Sequence, residues 1–539
     1  MRKFFENLKG FIKKELVFLW IFGVLAGFAL IVLENKNKLP LGKGDFVFLA
    51  VLALLVALYK PRWIFFLFVA AIPLENIILV SGFLPVQLRP YQFLGGMLIV
   101  AVTVLFLAKR LKFKILKPIW LDWFVFSLVP TSFLSAVNAS NQSVSLKNNL
   151  ILTSFVLLYF LARNFLRVRS DFAKTAFFFL GSFIVVSAFG FYQVLADKFG
   201  GRSFEVMFGR PNSTFAEPDW LGIYLVFSLA VFFSLIFFFL RKRGNIPVSR
   251  KFALITLDAL IFLDITLIVL VLSRSAWIGA GAVIVLYLLA LMPSQKDAAE
   301  SWKKFFREAA ILFFIVVVSL VTVHFGKLSK FDVFDRARSA TTSEQKITIA
   351  CESDKNIPQI VGSAEELAKF GCRHINLEEI ETQKSQGKMV AEIFRKDPNV
   401  MTRGVIYRKS WEIIRAHPVL GVGFGTITQK LGADERGAGL NESNIFLQVW
   451  AGCGILGLLA FVAVLGYIFV YAFRRIAPVC PLNKVIGCPV VKDDFEKTIN
   501  VFAVLAILAL VVPNLFNAGL FMGIFWLGLG TLVSCICLE

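Results

Sequence analysis

The chain has 539 residues, is 58% hydrophobic and carries a formal net charge of +21. Its mean hydropathy of +0.75 excludes a soluble globular domain, because apolar runs long enough to cross a bilayer recur along nearly the whole length. The positive charge does not point to nucleic acid: it is gathered in short loops between apolar runs, the placement that orients helices in a membrane.

In chain order, a basic start (Arg2, Lys3, Lys9, Lys13, Lys14) precedes a first apolar run, Leu16–Leu33, that has no small-residue cleavage site. It reads as a retained helix rather than a removed signal peptide. About fourteen spans are expected, near 16–33, 46–59, 62–80, 91–108, 120–137, 147–163, 173–196, 219–240, 252–272, 275–292, 308–325, 444–473, 498–516 and 518–537. With the N-terminus in the cytoplasm, four strongly basic loops fall on the inner side. They contain Lys109–Lys117, Arg163–Lys174, Arg241–Lys251 and Arg474–Lys492. Poorly charged loops such as Asn138–Ser145 fall outside. The expected fold is an all-α polytopic membrane protein of a bacterial inner membrane, with both termini cytoplasmic. Residues 1–325 form an N-terminal bundle, 326–443 a large extracytoplasmic loop, and 444–539 the C-terminal helices.

Two outer segments are substantial, Asp197–Pro218 and Gly326–Ser443. The larger carries helix punctuation. Ser363 with Glu366 looks like a capping box closed by Gly371, Asn376 with Glu379 repeats it before Gly387, and Thr402–Ala416 reads as a third helix stopped at His417-Pro418. On that helix Arg408, Glu412 and Arg415 share one face. Of the seven cysteines, Cys351 and Cys372 lie in this loop and could pair there. Cys453, Cys535 and Cys537 lie in apolar runs. Cys480 and Cys488 lie in a cytoplasmic loop with no zinc spacing and read as reduced thiols.

Three polar motifs sit at outer helix ends. Ser273-Arg274-Ser275 separates the runs Phe252–Leu272 and Ala276–Met292. An arginine on the side that carries few cations implies an anionic partner, either a bound substrate or a lipid phosphate reached by snorkelling. The stretch Gly209-Arg210-Pro211-Asn212-Ser213-Thr214-Phe215 places Arg210 nearby, ahead of a helix whose start Asp219 is expected to cap. Glu442, in Asn441-Glu442-Ser443-Asn444-Ile445-Phe446-Leu447-Gln448, is a carboxylate at the mouth of a span. It is a candidate general base, or with Ser443 a helix start. Between them, His417-Pro418-Val419-Leu420-Gly421-Val422-Gly423 reads as a flexible re-entry turn whose amides could also meet an anion. It is not a nucleotide loop, since no Gly-Lys-Ser/Thr follows.

These four pieces, taken in chain order and running into Gly454-Ile455-Leu456-Gly457, resemble the bacterial O-antigen ligase and O-antigen polymerase superfamily. The resemblance covers the chain from Arg210 onward. It implies a helical membrane bundle related to the GT-C glycosyltransferases that moves a glycan from a polyprenyl-diphosphate carrier to an acceptor hydroxyl at the outer face. No metal or cofactor is implied, and inversion is expected. By motif, Arg210 and Arg274 bind the diphosphate, and Arg403 and Arg408 are further candidates ahead of the re-entry turn. Bidentate guanidinium contacts suit a departing diphosphate. Family ligases carry histidine where this chain has Ser443, so it looks more like a polymerase or a divergent ligase. Glu442 is then the first choice of base, His417 the second and His374 the third. Thr341–Asn399 has no counterpart and is expected to be an acceptor platform. The rival class, a transporter or flippase, rests on carboxylates expected within spans: Asp258, Asp264 and Glu75.

Overall fold

The computed structural model describes residues 14–80, 82, 87–241, 248–292, 298–342, 344–352, 359–362, 365–375, 379–396, 398–432, 440–476 and 493–538. Cys480, Cys488, Ser363 and Asn376 lie outside the described residues.

Among the described residues, eleven helices are long and apolar enough to cross a membrane. They are α1 (Lys14–Asn35), α4 (Pro90–Leu107), α5 (Trp120–Ser135), α6 (Gln142–Phe165), α7 (Arg169–Lys198), α8 (Pro218–Arg241), α9 (Val248–Val271), α10 (Arg274–Leu291), α11 (Ala298–Phe325), α16 (Ile445–Ile476) and α17 (Asp494–Val511). The other three expected spans are shorter helices: α2 (Lys43–Tyr59), α3 (Pro61–Ala71) and α18 (Gly523–Ile536). Lys60 turns the chain between α2 and α3, and Pro61 opens α3, where a missing N–H costs nothing.

The expected span 62–80 is corrected. Its helix stops at Ala71, and residues 72–80 run irregularly through the bundle. Pro73 breaks the helix. Glu75 anchors this irregular stretch by accepting from Arg89, the Tyr91 hydroxyl and the Gly523 amide (2.7 Å). Such a backbone is tolerated at membrane depth only where protein satisfies it. Glu75 therefore lies outside any spanning helix. The last expected span also starts late: 512–522 is a turn with two short 3-10 segments, and α18 has 14 residues.

Polar contacts sort the helix ends into two sets, as the alternating topology requires. Lys60–Glu15, Arg62–Asp171, Arg163–Asp122, Arg169–Asp493, Arg241–Asp494 and Arg475–Glu496 gather at one end. Arg89–Glu75, Arg210–Asp219 and the bond from Asn517 to Ser275 gather at the other. Between them lies one apolar core with Tyr91, Tyr159, Tyr224, Tyr287 and Trp526 fully buried.

The large loop holds a four-stranded sheet that the helix punctuation did not foretell. The strands are β1 (Glu344–Cys351), β2 (Ile360–Val361), β3 (Cys372–His374) and β4 (Met389–Lys396), in the order β2-β4-β1-β3. Ile347, Ile349, Cys351 and Ile393 alternate onto one face and pack with Val361 and Leu367. Cys351 and Cys372 are register partners on neighbouring strands and form a disulfide. Helices α12 (Val333–Thr342), α13 (Ile380–Ser385), α14 (Pro398–Ala416) and α15 (Thr426–Leu431) complete the loop. Glu366 accepts from the Gly362 amide (2.7 Å), ahead of a 3-10 turn at Glu365–Phe370.

Candidate active site

Three turns meet at the second end of the bundle. Each contains a non-glycine residue in the left-handed region: Ser213 (φ 48°), Leu272 (φ 56°) and Ser443 (φ 47°). Such conformations cost energy and persist where surrounding contacts enforce them, as at functional sites.

The first turn is fixed from below by Gln193 of α7. Its side-chain oxygen accepts from the amides of Asn212 (3.1 Å) and Ser213 (2.6 Å), and its nitrogen donates to Asn212 Oδ1 (3.2 Å). Ser213 Oγ donates to Val186 O, and Thr214 Oγ1 to Pro73 O (2.7 Å each). Asn212, Ser213 and Thr214 are thus structural. They leave Arg210 projecting from a braced turn, and Glu205 accepts from the Gly209 amide beside it (3.0 Å).

Arg210 crosses to the second turn. Its Nε donates to Val271 O (2.9 Å), and its Nη2 pairs with Asp219 at 3.3 Å. Ser273, whose hydroxyl meets Ser275 Oγ at 3.0 Å, and the guanidinium groups of Arg403 and Arg336 lie near enough to act on the same carboxylate. Asp219, expected as a helix cap, is therefore the centre of a cationic cluster. Arg274 follows Ser273, three residues after the Val271 carbonyl that Arg210 reaches. Arg336, on α12, gave no sequence signal: it lies in no motif.

The third turn is joined through the 512–522 segment. Asn517 Nδ2 donates to Ser275 Oγ (3.0 Å), and the Leu520 amide donates to Gln448 Oε1 (3.2 Å). Asn444 caps α16 by accepting from the amides of Phe446 (2.9 Å) and Leu447 (3.1 Å), and its Nδ2 holds Leu515 O (2.9 Å). The asparagine and glutamine of this motif clamp the turn, and Asn444 rather than Glu442 or Ser443 is the cap. Tyr407 of α14 donates to Ser443 O (3.1 Å), and its neighbour one helical turn away, Arg403, lies 5.8 Å from the Phe516 ring. Glu442, beside Ser443, is buried, and that burial raises its pKa.

The remaining candidates fall elsewhere. Arg408 is exposed on α14, about 100° round the helix from Tyr407. His417 is exposed beyond the end of α14, fourteen residues from Arg403. That is roughly 20 Å at the helical rise. His374 is exposed on β3. The glycine turn makes no anion cradle. The Val422 amide donates to Ala451 O (2.8 Å), and the Gly423 amide donates to Ser135 Oγ (2.7 Å). The turn inserts into a break in α16 at Gly454 (φ 66°), where a Cβ would lie 2.1 Å from Val419 O. Glycine is required there by close backbone approach. Of the transport candidates, Glu75 is consumed by structural contacts. Asp258 lies in the field of the Arg307–Glu308 pair, and Asp264 is fully buried in α9.

The fold and site define a polytopic membrane protein in which turns at one end of the bundle and the large loop bring several arginines near Asp219. Residues 259–462 match the O-antigen ligase family, a stretch that runs from within α9 through Ser273-Arg274-Ser275 and the large loop into α16. The match supports a likeness to the O-antigen ligase and polymerase superfamily over that stretch. No curated protein matches it.

Proposed function

We propose that the protein transfers a glycan from a polyprenyl-diphosphate carrier to an acceptor hydroxyl at the extracytoplasmic face of a bacterial inner membrane, with inversion and without a metal. One observation carries this reading: Arg210, Arg336 and Arg403 act on a single carboxylate, Asp219, beside the Ser273-Arg274-Ser275 turn. Several guanidiniums gathered at one helix end suit a diphosphate. Its position favours the outer face, because most of the described ion pairs of the bundle lie at the other end, where the basic loops are. The disulfide in the large loop fits an oxidising compartment.

In the reaction the acceptor oxygen attacks the anomeric carbon as the bond from that carbon to the phosphate oxygen breaks. The bonding pair leaves with the polyprenyl diphosphate, whose growing charge the guanidiniums neutralise. Glu442 takes the acceptor proton. Burial makes it a stronger base than an exposed glutamate and keeps competing water out. The sheet of the large loop, which has no place in the phosphate chemistry, is suited to present the acceptor.

The test uses purified protein with a polyprenyl-diphosphate oligosaccharide in vesicles. A ladder of products from the donor alone marks a polymerase, and product only after a second acceptor is added marks a ligase. Movement of intact donor across the vesicle membrane without any new glycosidic bond would favour a flippase instead.

A further inference from the structure

Asp219 is an awkward resident for a site that binds a diphosphate. A fixed carboxylate repels an incoming anion, yet it sits where the cations of three different elements meet. Arg210 comes from the turn after α7 and pairs with Asp219 at 3.3 Å, Arg336 comes from α12 and Arg403 from α14, and Ser273 lies beside them on the turn between α9 and α10. The side chains of Arg210 and Asp219 are 15% and 24% exposed, so the pair is partly shielded yet reachable from outside. With the carboxylate removed and nothing in its place, these guanidiniums would repel one another at short range in a medium of reduced dielectric. One-to-one pairing satisfies other arginines of the bundle, Arg89, Arg163 and Arg241 among them. Here one acid, paired with Arg210, also lies in the field of bases from two further elements.

We infer that Asp219 is a built-in substitute for the donor diphosphate: it holds the arginine cluster together while the site is empty and gives up its place when the donor arrives. Donor binding is then an anion exchange rather than a simple addition. The site stays assembled between turnovers, and its affinity for diphosphate is held down so that the spent carrier can leave. Arg336 joins the cluster only through the start of the large loop, so the exchange also links donor occupancy to the position of that loop. This inference rests on the glycan-transfer function proposed for the site.

The two ideas fail separately when inorganic pyrophosphate is titrated into the full-length purified protein. Asp219→Asn is expected to bind pyrophosphate about tenfold more tightly, because a competing anion is gone. It is also expected to have a lower thermal midpoint without ligand and a larger pyrophosphate-induced rise. A carboxylate that merely orients Arg210 predicts the opposite sign, so weaker or unchanged binding overturns the exchange. Should Asp219→Asn fail to fold, Ser273→Ala decides. Loosening the hold on Asp219 is expected to tighten pyrophosphate binding about threefold, and weaker or unchanged binding contradicts the inference. Arg210→Ala provides the separate control. Loss of pyrophosphate binding in that variant keeps the diphosphate site whatever Asp219 does, and undiminished binding removes the diphosphate reading itself.

Discussion

The two ends of the bundle handle positive charge in opposite ways. At the end with Lys60, Arg62, Arg163, Arg169, Arg241 and Arg475, each of these cations has a carboxylate of its own. At the other end Arg89 obeys the same rule with Glu75, but Arg210, Arg336 and Arg403 share Asp219. One-to-one pairing is what stability requires of a buried charge. Several guanidiniums acting on one acid at a membrane surface make a place suited to an anionic ligand.

The sharpest way to break this comparison is to remove cations from each kind of arrangement. Arg210→Ala is expected to lower transfer by about 10³-fold with little loss of fold, since leaving-group charge goes uncompensated. Arg408→Ala is expected to stay within about twofold of wild type, because that side chain is exposed. Rates of glycan transfer in vesicles check both. Glu442→Gln is expected to lower kcat by about 10²-fold while pyrophosphate affinity is kept. Because burial raises the Glu442 pKa, the acid limb of the wild-type rate profile should lie above the usual glutamate value and should vanish in the variant.

The paired end predicts loss of fold, not of chemistry. Arg163 contacts both carboxylate oxygens of Asp122, which also accepts from Tyr159. Arg163→Ala strands that acid and is expected to cost about 3–5 kcal/mol, read as a lower thermal midpoint with KM unchanged in the protein that remains folded. The smallest effect is at Glu205. Burial, reinforced by Asp197, raises its pKa to about 7 against the opposing pull of the Gly209 amide and Lys330. A raised folded-state pKa means that the stability it contributes is complete at acid pH and is lost as pH rises through about 7. The thermal midpoint of wild type should therefore fall between about pH 4.5 and 7 relative to Glu205→Gln, by a degree or so.

Much of this architecture was readable in the chain. Run length and loop charge gave the fourteen apolar helices in order, because a bilayer imposes a length and a charge asymmetry that sequence displays directly. The motif order singles out Arg210 and the 441–448 turn, and the structure places both among the turns at one end of the bundle. What failed has physical causes. Residues 72–80 are as apolar as a helix, but Pro73 and the anchoring of Glu75 decide otherwise, and that anchor comes from Gly523, far along the chain. The period-two pattern of Glu344–Cys351 and Met389–Lys396 was present, but glycines and acidic residues nearby mimic helix caps. Arg336 and Gln193 carry no local signal, because their roles arise only when distant turns meet. His417 and the glycines after it looked chemical and proved to be the plug that fills the break in α16.

The most direct test is a cryo-electron-microscopy structure of the protein in lipid nanodiscs with a polyprenyl diphosphate bound. The account predicts diphosphate density in contact with Arg210, Arg274 and Arg403, with the Asp219 carboxylate turned away from Arg210. Density at the opposite end of the bundle, or an undisturbed Arg210–Asp219 pair with the diphosphate bound elsewhere, would contradict it.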